Sequence, residues 1–137
     1  MNILERVKAL HLPDGEYAVI GSGILAAKKI REAKDIDLVV TEKLLNELRA
    51  RGWKRIWFFR GMLYRKLIRS GDAEAFSNVH YKKYNHSAEE IIRGAEHIDG
   101  IPFMSLGELI EFKKALGREK DIRDIQLIEE YLKTHPR

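Results

Sequence analysis

No cysteine occurs in this chain of 137 residues, which excludes disulfides, thiol nucleophiles and cysteine-ligated zinc. Any metal is left to oxygen or imidazole ligands, a choice that favours a hard ion such as magnesium. Long apolar runs are missing too. No stretch of about 18 hydrophobic residues offers a membrane span, and the start "MNILERVKAL" carries acidic Glu5 and no small-residue cleavage site. A cytoplasmic protein with no membrane partner is therefore expected. No repeat, low-complexity tract or Pro/Gly/Ser linker divides the chain, so a single domain over 1–137 is expected. At this length it buries roughly two-thirds of its unfolded surface. Charge of one sign is not in large excess: the net +4 is spread among interleaved acids. It suits a polyanion such as a nucleoside triphosphate or RNA, and equally an ordinary solvated surface.

What is present is a regular succession of elements. "NILERVKALH" has Ile3, Leu4, Val7 and Leu10 at helical spacing, and "LPDG" ends it. "EYAVIGS" reads as a strand, residues 23 to 33 as a helix opening at the glycines, and "DIDLVVT" as a second strand. Thr41 caps a helix through "EKLLNELRARG" that stops on Gly52. "KRIWFFR", "MLYRKLIR" and "DAEAFSNV" are extended runs with short connections, and are expected to pair antiparallel. Ser87 with Glu90 and Ser105 with Glu108 read as capping boxes, and Gly117 ends the second of those helices. The last helix carries Ile122, Ile125, Ile128 and Leu132 on one stripe. The fold class is α/β (α+β): an N-terminal β-α-β-α unit, then antiparallel strands, in a mixed sheet with helices packed on it. "VHYKKYNH", with His80, Tyr81, Tyr84 and His86, reads as a basic aromatic loop, and Trp53, Trp57, Phe58 and Phe59 as core and sheet cover.

One stretch resists a purely structural reading. In "VIGSGILAAKKIREAKDIDLVV", strand alternation puts Asp35 and Asp37 on one face, with backbones about 7 Å apart. Two carboxylates that close repel unless a cation sits between them or both reach water. A divalent metal resolves the conflict, and two magnesium ions about 3.5 to 4 Å apart can clamp a phosphoryl displacement. Upstream, Gly21-Ser22-Gly23 offers backbone amides at a strand-to-helix turn, suited to phosphate. "GSGILA" also fits the Gly-x-Gly-x-x-Ala dinucleotide fingerprint, but there the ribose-binding acid lies about 20 residues on, at the far end of the second strand. These acids come too early. In a structural alternative Asp35 merely precedes the strand and Asp37 pairs with a nearby Lys or Arg.

Ile20-Gly21-Ser22, twelve residues, then Asp35-Ile36-Asp37-Leu38 resembles the signature of the nucleotidyltransferase superfamily related to DNA polymerase beta. Three further stretches carry the likeness, which runs from about residue 15 to 132 and omits the N-terminal helix. "SGDAEAFSNV" offers a third carboxylate, Asp72 or Glu74, with Glu74 favoured as lying further inside its strand. "KKALGREKDIRD" is similar to the ending of small, minimal nucleotidyltransferases of the abortive-infection-toxin type and of related antibiotic-modifying enzymes. "IDGIPFMSLGELIEFK" resembles the strand and helix before that ending. The resemblance implies transfer of a nucleoside monophosphate from a nucleoside triphosphate to a hydroxyl. Asp35, Asp37 and Glu74 would then be catalytic and hold two Mg2+ ions. Gly21, Ser22, Lys113 or Lys114, Arg118 and Lys120 would contact the triphosphate, with Asp121 orienting a basic neighbour; a charged helix junction with a Lys120–Asp124 pair is the structural alternative there. The acceptor stays open among tRNA, protein and small molecules. The chain's size leaves little room for an acceptor domain and points to a homodimer or a separate helical partner. A catalytically inactive nucleotide- or partner-binding domain, or an RNA-binding module, is the alternative function.

Overall fold

The computed structural model describes residues 2–56 and 67–136. The aromatic run Trp57, Phe58 and Phe59 lies outside the described residues, as does much of the two strands read around it. Helix α1 (Ile3–Lys8) leads to β1 (Tyr17–Ile20), the short α2 (Gly23–Ala27), β2 (Ile36–Val40) and α3 (Glu42–Ala50). Then come β3 (Lys54–Arg55), β4 (Ile68–Ser70) and β5 (Ala73–Phe76), followed by β6 (Asn78–Tyr81), β7 (Tyr84–Ser87) and α4 (Ala88–Arg93). β8 (Glu96–Ile98) and β9 (Ile101–Phe103) precede α5 (Leu106–Leu116) and α6 (Glu119–Thr134). No helix among the described residues is long and apolar enough to cross a membrane.

Among the described residues a seven-stranded mixed sheet runs in the order β3-β4-β5-β2-β1-β9-β8, with β6 and β7 as a separate hairpin. β3, β4 and β5 pair antiparallel as expected, while β5 joins β2 in parallel and β9 joins β1 in parallel. β1 and β2 are antiparallel, with Ile20 opposite Asp37. That direction excludes a dinucleotide-binding unit, which needs a parallel crossover between these strands. The core centres here. Tyr17, Ala18, Val19 and Ile20 are all buried, as are Ile36, Leu38, Val39 and Val40, so both faces of β1 and most of β2 are covered.

Caps formed where the sequence marked them. Thr41 accepts from the Leu44 amide, Ser87 and Glu90 make a reciprocal box, and Gly117 closes α5 at a φ of 67°. Other expectations are corrected. The Ser105 hydroxyl accepts from the Glu108 amide, but the Glu108 carboxylate takes the Tyr84 hydroxyl instead of completing a box. The helix expected over 23 to 33 stops at Ala27, because Lys29 takes a left-handed φ of 59° and the Ile30 amide turns back to the Leu25 carbonyl. "VHYKKYNH" is a hairpin, its register running Val79 opposite His86 and Tyr81 opposite Tyr84. Lys82 adopts φ 51° at the turn, a job usually given to Gly or Asn, which hid the hairpin. On α6 only Ile128 of the expected stripe is fully buried, and Ile122 is 51% exposed. The buried residues of that helix are Asp121, Asp124 and Ile128.

Candidate functional site

Because β1 and β2 are antiparallel, the turn after β1 lies beside the start of β2, where the acids are. Asp37 is half-buried in β2, and Asp35 is the exposed residue just before that strand. β5 runs parallel on the other side and sets Glu74 directly opposite Asp37. Residues opposite one another across a strand pair project to the same face, so Asp37 and Glu74 stand side by side. Asp72 does not join them: its carboxylate pairs with Arg6 of α1 and its carbonyl accepts the Ile36 amide at 3.1 Å. Arg6 also donates to the Lys34 carbonyl at 2.6 Å. The N-terminal helix, which carries no part of the family likeness, therefore pins the loop leading into Asp35.

The Gly-Ser-Gly turn is shaped by contacts on both sides. Gly21 has φ +67°, and a Cβ there would sit 3.5 Å from Asp37 Oδ2, so the turn passes directly over the carboxylate. A Cβ at Gly23 would overlap the buried Val19 Cγ1. Ser22 makes no side-chain cap for α2; its hydroxyl accepts from Arg31 Nη2 at 2.7 Å. With five residues, α2 adds little dipole at this turn, since the macrodipole builds with aligned peptides.

Arg31 ties the turn to the C-terminal helices. Its Nε and Nη2 both donate to Asp124 at 2.7 Å. Lys113 Nζ lies 2.8 Å from Asp124 and 3.4 Å from Asp121, and Arg118 donates to Asp121 through Nε at 2.6 Å and Nη2 at 3.1 Å. The chain of groups Arg31, Asp124, Lys113, Asp121 and Arg118 holds three cations and two carboxylates. Its interior is dry, with Lys113, Asp121 and Asp124 all buried, while the Arg118 side chain is 46% exposed. Burial pushes both aspartates up, yet the bonds from Arg118 and Lys113 to Asp121, and from Arg31 and Lys113 to Asp124, outweigh it and leave both below the ordinary carboxylate range.

Across the carboxylate row stands Arg69 of β4, directly opposite Glu74 and ion-paired with it. The hydrogen bond and charge of Glu74 raise the Arg69 guanidinium above its usual value, with smaller contributions from Asp35 and Asp37. One arginine thus feels all three acids. As a donor set these acids suit Mg2+, being all oxygen, with Asp37 and Glu74 on neighbouring strands and Asp35 just before the first of them. Among the described residues no three His, Asp or Glu side chains are drawn together closely enough to hold an ion as they stand. Glu74 Oε2 is bonded to Arg69.

Of the basic residues read from the sequence, Arg118 joins the buried network, and Asp121 does orient it. Lys114 pairs with Glu111 on the exposed side of α5, and Lys120 is exposed in the first turn of α6. Lys113, one residue before Lys114, is the lysine turned inward. The Asp124 carboxylate is occupied by Arg31 and Lys113 rather than by Lys120. Arg6 and Arg31 escaped sequence reading, since each reaches its acid across more than 60 residues; Arg69 was passed over although the antiparallel pairing that sets it opposite Glu74 was expected.

These features define a mixed-sheet α/β domain in which paired strand carboxylates face a glycine turn. Compared with protein-family models, curated proteins and solved structures, the chain matches none.

Proposed function

We propose that the protein is a nucleotidyltransferase, moving a nucleoside monophosphate from a nucleoside triphosphate to a hydroxyl with release of pyrophosphate. The observation that carries this reading is Glu74 directly opposite Asp37, on the face over which the Gly21 turn passes. Asp35, Asp37 and Glu74 are the side chains that would hold Mg2+, which would supply charge neutralisation at the reacting phosphate and a lowered pKa of the attacking hydroxyl. Gly21 and Ser22 offer backbone amides to the departing phosphates. Arg118, half-exposed at the end of the buried network, offsets the charge that builds on them, and Glu74 accepts the hydroxyl proton.

Isothermal titration with each nucleoside triphosphate tests the binding. Magnesium-dependent binding that is lost in Asp37→Asn supports this reading. Turnover is followed with a triphosphate labelled at the α-phosphate and offered with cell extract: label must pass to an acceptor, whereas label that stays on the nucleotide argues against transfer. A second reading, a silent nucleotide-binding domain, draws on the Arg69–Glu74 pair, which neutralises one acid without a metal. It predicts binding that ignores both magnesium and the Asp37→Asn change.

A further inference from the structure

The register of three strand pairs lines up one row of charged side chains. Lys54 is opposite Arg69, Arg69 opposite Glu74, and Glu74 opposite Asp37. Cations therefore occupy the β3–β4 side of one face and carboxylates the β5–β2 side, meeting at the Arg69–Glu74 pair. We propose that Arg69 is an internal counter-cation: it pairs with Glu74 while no divalent ion is present, and releases it when the ion arrives. This rests on the metal-dependent reading above.

Three properties of the site argue for an exchangeable hold. Asp35, Asp37 and Glu74 repel one another when no ion is present, and a positive group on the same face relieves that repulsion. Arg69 is also 44% exposed, and Glu74 23%. An ion pair open to water on one side is weak and readily replaced, and Arg69 can take up hydration as it leaves. The opposite design lies nearby. Arg31 and Lys113 grip Asp124 where its side chain is only 6% exposed, and separating charges in such a site leaves one buried without a partner. The protein thus fixes the arginine that supports the turn and leaves loose the one that faces the acids.

The test is Mn2+ binding to the nucleotide-free protein, read from the electron paramagnetic resonance of free Mn2+, for wild type, Arg69→Gln and Arg69→Lys. Removing the competing charge is expected to tighten Mn2+ binding about tenfold in Arg69→Gln. Restoring a cation in Arg69→Lys is expected to return the affinity towards wild type. Thermal melting of the same samples supplies the second readout. Arg69→Gln, with one cation fewer beside its acids, should melt lower without Mn2+ and gain more from saturating Mn2+ than wild type does. If wild type binds Mn2+ and Arg69→Gln binds it equally or more weakly, the role of Arg69 is overturned while the metal reading stands. If neither protein binds Mn2+, the metal reading falls and this inference with it.

Discussion

Gly21 and Gly23 stand two residues apart and are glycine for different reasons. At Gly21 the backbone is left-handed, φ +67°, and the space around a Cβ is ordinary. Alanine there should cost about 1–2 kcal/mol of stability, and asparagine, which tolerates that region, less. Gly23 is not left-handed, but Val19 fills the space a methyl needs, and Val19 is a fully buried, β-branched side chain with little freedom to yield. Alanine or asparagine at 23 should each cost about 1–3 kcal/mol or more by overpacking. Urea unfolding of the four variants checks this: asparagine relieves the alanine cost at 21 and not at 23. A Gly-Ser-Gly string shows from sequence that a turn is wanted. Which glycine serves conformation and which serves packing depends on Val19, and no reading of the string alone contains that.

At the scale of elements, α6 is the instructive helix. Its length and its following of the Gly117 cap were legible, and the apolar stripe was right in part: Ile128 is buried and Leu132 packs on the core, while Ile122 is exposed. The burial of Asp121 and Asp124 decides its orientation, because Lys113 and Arg31 reach it from α5 and from the loop after α2. Ile122→Ser should therefore be nearly neutral, within about 0.5 kcal/mol. Lys113→Met, which strips a cation from two buried carboxylates, should cost about 3–5 kcal/mol in chemical denaturation. The same network sets the acid limit. Both aspartates lie below their ordinary value of 3.8 in the folded chain. Their contribution is complete above that value and disappears as pH falls through the depressed one. Lys113→Met raises the folded values, so acid unfolding followed by circular dichroism should begin at a higher pH than in wild type. α2 and the β6–β7 hairpin were misread for one shared reason: lysines at 29 and 82 adopt left-handed turns, which only the surrounding packing can enforce on such a residue.

At the scale of the molecule, β1 and β2 sit inside the sheet with paired neighbours on both sides, while β3 and β8 are its edges among the described residues. Amide hydrogen exchange should be slowest along Tyr17–Ile20 and Ile36–Val40, approaching the rate of global unfolding. The amides of β3 and β8 should exchange through local opening, many times faster. The sequence by itself determined the local pieces: the strands of alternating and buried pattern, the Thr41 and Ser87 caps, the left-handed stop at Gly117, and an acid-Ile-acid start to β2 behind a glycine turn. Each of these is fixed by interactions within a few residues, so each can be read from a few residues. Only the tertiary structure decided that β2 runs antiparallel to β1 and parallel to β5. That choice brings Glu74, with Arg69 already paired to it across the β4–β5 hairpin, to Asp37, and sets the turn over the acids. The physical reason is that strand order and direction come from the whole core's burial and from loop closure between distant segments, and charges separated far along the chain acquire a common face only once those pairings exist.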